Sequence, residues 1–215
     1  MLKRIAFLCV FSGCFMRAAA QEAVAVQHYV FEHFSKGTVL QKNGSVDEAM
    51  LNYNVLSSEI VFESAPGQFM ALAFPENVDT VFILGRRFIP VDHEFYELLV
   101  AAKYPLLLQF GCTVKEPGQG VGYGMTSVTG ASTAVKSLIQ NAGAYKLVLP
   151  DGFEVVPVYN YFVRKDGRYY KISNARQILA LAPGKKEALS EFIKKNNTNF
   201  TQRQDMIDLV NQMQQ

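Results

Sequence analysis

The stretch Met50-Leu-Asn-Tyr-Asn-Val-Leu-Ser-Ser-Glu-Ile-Val-Phe-Glu63 alternates apolar and polar side chains, breaks at Ser57-Ser58 and then alternates again. Leu51, Tyr53 and Val55 fall on one side, Asn52 and Asn54 on the other; past the break, Ile60 and Phe62 oppose Glu59, Val61 and Glu63. A period of two belongs to a half-buried strand, so the segment reads as a β-hairpin.

Working outward, strands are expected near 38–42, 49–55, 59–63, 69–74, 79–84, 94–100 and 105–114. Turns fall at Asn43-Gly44, Ser57-Ser58, Pro66-Gly67, Glu76-Asn77 and Ala102-Lys103. Connections this short make neighbours antiparallel, because parallel strands need crossovers of about a dozen or more residues. Phe95, Leu98, Leu99 and Ala102 also fit a helical stripe. Val81-Phe-Ile-Leu84 and Leu106-Leu-Leu108 are apolar on both faces, the pattern of central strands covered on each side. Ala23 to Ser35 spaces Val26, Tyr29, Val30, His33 and Phe34 as a leading helix would, with a strand as the alternative because of its β-branched and aromatic residues.

Residues 116–134 change character, with Gly118, Gly120, Gly122 and Gly124 at alternate positions. The stretch lacks the Gly-Lys-Ser/Thr of a phosphate loop and the strand-turn-helix setting of a dinucleotide fingerprint. Long irregular segments in compact domains tend to carry contacts. The partner-binding element is therefore expected here, with Tyr123 and Met125 as adaptable anchors among Gly120, Gly122 and Gly124.

The β pattern resumes at Tyr145 to Leu149, Glu154 to Arg164 and Tyr169 to Ile172, with tight turns expected at Asp151-Gly152 and Asp166-Gly167. Tyr159, Tyr161, Tyr169 and Tyr170 crowd this meander; cross-strand packing is the reading adopted for them, an aromatic platform for a sugar the alternative. Three helices follow over Asn174 to Leu181, Lys185 to Lys195 and Gln202 to Met213, each with an apolar stripe. Thr201 and Gln204 have capping-box spacing for the third. Lys185, Lys186, Lys194 and Lys195 read as a solvated face. The expected class is α+β: an antiparallel β meander over 21–173, as a sandwich or partly closed barrel, followed by a three-helix appendage over 174–215.

At the N-terminus, Lys3 and Arg4 precede an apolar run from Ile5 to Met16, and Ala18-Ala19-Ala20 stand before Gln21. This is the pattern of a cleaved secretory signal over 1–20. Phe11-Ser12-Gly13-Cys14 offers the alternative of a lipid-bearing Cys14. The run is shorter than the roughly 20 residues that span a bilayer, and no later segment is longer, so no transmembrane segment is expected in the mature chain. Most strands are also shorter than the roughly 9 to 11 residues of an outer-membrane barrel.

Loss of the signal takes three of the 21 Lys and Arg and none of the 19 Asp and Glu, turning a net charge of +2 into −1. Without basic blocks this leaves no electrostatic footprint for nucleic acid. Cys9 and Cys14 leave as well, and the remaining Cys112 reads as a small buried hydrophobe on an apolar strand. His28, His33 and His93 form no zinc spacing, no Gly-x-Ser-x-Gly elbow exists, and Asp92 with Glu94 reads as solvated strand-end acids. No catalytic residue, metal ligand or cofactor is assigned.

Gly37 to Gly44, Leu51-Asn-Tyr-Asn54, Phe95 to Leu99, Tyr123-Gly-Met-Thr-Ser127 and the tail from Ile178 to Asn199 together resemble a set of uncharacterised exported proteins of Bacteroidetes-type bacteria. The resemblance implies an envelope location and a strand at 94–100; no activity comes with it. Two functions are expected from these observations. One is a non-catalytic, cell-envelope or secreted module binding a protein or glycan partner; the other is a carrier closing a β-barrel around a small apolar ligand.

Overall fold

Ten strands make one antiparallel sheet in the computed structural model, which describes residues 28–115 and 154–215. They are β1 (Ser35–Gln41), β2 (Val46–Asn54), β3 (Glu59–Ala65), β4 (Gln68–Ala71), β5 (Val78–Ile83), β6 (Arg86–Val91), β7 (Glu94–Val100), β8 (Leu106–Lys115), β9 (Glu154–Lys165) and β10 (Arg168–Ile172). Their spatial order is β10-β9-β8-β7-β6-β5-β1-β2-β3-β4. Consecutive strands pair throughout except at β4, after which the chain returns through a 3-10 turn at Pro75–Asn77 and lays β5 against β1.

The central hairpin forms as expected, and its register sets Leu51 opposite Phe62 and Tyr53 opposite Ile60. Its buried side lies across the sheet's own interior. Tyr53 sits 5.6 Å from the Phe88 ring and 5.3 Å from Phe110, and its hydroxyl donates to the Phe95 carbonyl at 2.8 Å. The β2–β3 turn docks there too: the Phe95 N–H, beyond the end of the β7–β8 ladder, donates to the Ser58 carbonyl at 3.1 Å. The sheet thus folds over its apolar face as one continuous layer without closing.

Strand β6 was not expected, since Arg86-Arg87 and Pro90 hide its alternation. Pro90 is tolerated because the β5–β6 ladder runs only from Ile83/Arg86 to Val81/Phe88, so no partner on that side needs its missing N–H. Leu106, Leu107 and Leu108 are buried on both faces as expected, whereas Val81 to Leu84 is not: Phe82 and Leu84 point to solvent. The strand expected over 69–74 ends at Ala71.

The leading helix expected over 23–35 is absent from its described part. Residues 28–34 instead continue the β1 edge irregularly, with Tyr29 bridged to Asn54. Asn52 fills the gap in the ladder: its carboxamide accepts from the Phe31 N–H at 3.1 Å and donates to the Phe31 carbonyl at 2.9 Å. A buried amide that answers main-chain groups in both directions replaces the missing strand partner.

The three helices are α1 (Ala175–Leu181), α2 (Lys186–Asn196) and α3 (Arg203–Gln214). Ile178, Leu189, Met206, Leu209, Val210 and Met213 are fully buried, joining the sheet's core. Asn174 caps α1 by accepting from the Gln177 N–H at 3.1 Å. The capping box expected at Thr201 and Gln204 does not form. Asn199 accepts from the Thr201 N–H and hydroxyl instead, while Asp205 reaches back to the Asn199 N–H at 2.7 Å. Two lysines finish helix ends, Lys165 donating to the Leu181 carbonyl and Lys185 to that of Met213, where cations suit the helix dipole. Lys185 therefore departs from the solvated face expected for it.

Candidate ligand cleft between sheet and helix

Along β7, Phe95 and Glu97 share the inward parity, so an acid stands where the pattern asks for an apolar side chain. Its neighbours across the sheet are Phe88 on β6 and Leu108 on β8, and its side chain is 2% exposed. A buried carboxylate needs charged partners. Arg86 of β6 supplies one fork, with Nε to Oε1 at 2.8 Å and a terminal nitrogen to Oε2 at 2.7 Å. Arg203, the first residue of α3, supplies a second, at 2.6 Å to Oε2 and 2.5 Å to Oε1. Burial pushes the Glu97 carboxyl up, but hydrogen bonds and charge from Arg203 and Arg86 outweigh it and hold the group below the usual carboxylate range. The Glu97 hydrogen bond raises the Arg203 guanidinium in turn.

The Arg86 guanidinium is enclosed by three rings, its carbon lying 4.8 Å from the Phe31 centroid, 5.1 Å from Phe110 and 5.4 Å from Phe88. Such faces attract a cation and fix its plane. The result is two guanidiniums locked by one carboxylate, with one net positive charge left over. Each guanidinium has five N–H donors and gives two to Glu97, so three remain on each, and no other acceptor among the described residues takes them.

Arg86 and Arg203 both line a cleft of about 490 Å³ between the sheet and the start of α3. Leu108, Phe110 and Tyr161 form its sheet side, and the Tyr161 hydroxyl is held by the Thr201 carbonyl at 3.3 Å. Tyr159 stands at the wall, half-exposed, with its ring edge-on to Phe110 at 5.8 Å and 90°. Of the four tyrosines considered as an aromatic platform, Tyr161 packs inward while Tyr159 presents surface to the cleft. A second concavity, of about 540 Å³, lies at the β1–β2 turn among Gln41, Lys42, Asp47 and Phe74; it holds no buried charge.

Other candidates have structural roles. Glu94 accepts from Gln109 Nε2 at 2.6 Å, and Gln109 in turn accepts from Asn160, so this acid belongs to a polar row across β7, β8 and β9; Asp92 is exposed in the β6–β7 turn. Cys112 is half-buried, its thiol 3.7 Å from the Val55 carbonyl, and burial pushes it up to about 11. Among the described residues no cluster of three or more His, Cys, Asp or Glu is arranged to hold a metal, and no helix is long and apolar enough to cross a membrane. The expected contact residues Tyr123, Met125, Gly120, Gly122 and Gly124 lie outside the described residues, as do the signal segment and the strand expected at Tyr145 to Leu149.

No family model, curated protein or solved structure matches this chain.

Proposed function

We propose that the protein is a non-catalytic module of the cell envelope or secreted space that binds a protein or glycan partner, and that the cleft at Arg86 and Arg203 is where it does so. The observation that carries this reading is the pair of guanidiniums fixed by buried Glu97, on two arginines that line one concave site beside a half-exposed tyrosine. Donors held in place before binding lose little freedom on engaging a ligand. Filling of the inner face by Tyr53, Phe88, Phe95 and Phe110, in a sheet that does not close, favours the module over the apolar-ligand carrier.

Capture from the native envelope tests the reading. Immobilised full-length protein should retain a partner that Tyr159→Ala loses by more than tenfold. Tyr123→Ser with Met125→Ser, the loop variant that the sequence points to, serves as the comparison. Retention unaffected by Tyr159→Ala but abolished by the loop variant would move the site to residues 116–134.

A further inference from the structure

We infer that the cleft takes a sugar bearing a single carboxylate, the chemistry of a uronic acid unit within a glycan; this rests on the binding reading above and names its ligand class. Charge comes first. Arg86, Arg203 and Glu97 sum to one positive charge, which one singly charged anion neutralises and a phosphate dianion would exceed. The Arg donors left over are planar forks, and a fork matches the two oxygens of a carboxylate. The N-terminus of α3 borders the cleft through Gln202 and Arg203 and adds positive potential of the same sign.

Shape favours a compact ligand over an extended peptide. Peptide recognition by strand addition needs a free ladder. Strands β6 and β8 have neighbours on both sides, and the stretch of β9 that β10 leaves uncovered is interrupted by Pro157, which has no N–H to offer. What remains for contact is side-chain surface. The half-exposed Tyr159 ring, perpendicular to Phe110 at 5.8 Å, lines the same cleft as the two arginines and supplies apolar surface of the kind that the C–H face of a pyranose needs next to its carboxylate. A volume of about 490 Å³ falls within the range of small-ligand clefts.

Calorimetric titration of the full chain with the methyl glycosides of galacturonic, glucuronic and mannuronic acid, each a monoanion and each beside its methyl ester, tests the inference. At least one acid should bind, with its ester at least tenfold weaker and with Tyr159→Ala at least tenfold weaker for the acid. Lys in place of Arg203 (Arg203→Lys) should weaken binding of the acid at least tenfold while circular dichroism still reports a folded protein. Equal affinity for acid and ester, absence of binding by all three acids, binding of inorganic phosphate or acetate as tight as the best acid, or tighter binding of an acidic peptide each overturns the inference. If Tyr159-dependent capture from the envelope persists in any of those cases, the binding reading stands and the ligand class alone is wrong. Loss of both removes the reading itself.

Discussion

Glu97 on β7 and Arg203 at the start of α3 lie 106 residues apart in the chain and share two hydrogen bonds, of 2.5 and 2.6 Å. With Arg86 on the other side, this pair ties the helical segment to the middle of the sheet at a charged rather than an apolar point. Removing the acid leaves two guanidiniums facing each other. Breaking a buried pair costs about 3–5 kcal/mol, and the partial exposure of both arginines places Glu97→Ala near the lower end. Urea unfolding should show that loss, and a change below about 1 kcal/mol would mean the triad is solvated.

The same group sets an acid limb. Its folded-state pKa is lowered, so its contribution is complete above the ordinary value of 4.5 and is lost as pH falls through the lower folded value. Glu97→Gln should flatten the fall in stability in that window. An acid limb unchanged in the variant would assign it to other carboxylates.

His28 titrates in a different window. It is buried against Tyr29, its Nε2 has no hydrogen-bond partner among the described residues, and burial lowers it to about 4. A histidine depressed in the folded state must charge at a cost, so stability is full above its ordinary value of 6.5 and declines as pH falls toward about 4. His28→Phe should remove that decline from urea midpoints measured between these values. The same slope in both proteins would show that His28 gains solvent or a partner.

Gly37 has no room for a side chain. A Cβ there would lie 2.6 Å from the Phe82 carbonyl oxygen, which is backbone of the paired strand, and 2.7 Å from Leu51 Cδ1. Gly37→Ala should therefore lower stability by about 1–3 kcal/mol by chemical unfolding. A neutral outcome would mean that β1 and β5 can part locally.

The β5–β6 hairpin turns on Leu84 and Gly85, both at positive φ, 48° and 76°. Leucine is disfavoured in that region and is exposed here, whereas asparagine suits the first position of such a turn. Leu84→Asn should raise stability by about 0.5–1 kcal/mol, seen as a higher melting temperature. A lower one would reveal an unrecognised contact of Leu84.

The hairpin at Met50 to Glu63, the strands around it and the buried stripes of α1 to α3 could be read from the sequence because each is a local period. Asn43-Gly44 and Asp166-Gly167 likewise marked turns by residues that tolerate positive φ, as Gly44, Asp166 and Gly167 show. Strand β6 escaped because its proline is excused only by where the β5 ladder ends, a fact of pairing rather than of composition. The return of β5 to β1 is equally non-local. At the cleft, two signals were present but unused. Glu97 shares the parity of buried Phe95, and Arg203 places a cation at a helix N-terminus, where the dipole opposes it. Each is an anomaly alone; their meeting depends on the fold. Tyr159 and Tyr161 both line the cleft, and only the approach of the Thr201 carbonyl to the Tyr161 hydroxyl separates the buried ring from the half-exposed one.

The most direct measurement is site-specific photo-crosslinking in the cells that produce the protein, with the reactive group placed at Tyr159 in one variant and at Phe82 in another. Phe82 is similarly exposed but lies on the opposite face of the sheet, beside Thr38 and Arg87. A discrete adduct is expected from position 159, reduced when Arg203→Gln is added, and none from position 82. Adducts from position 82 alone, or equal labelling at both positions, would contradict the claim that the cleft is the binding site.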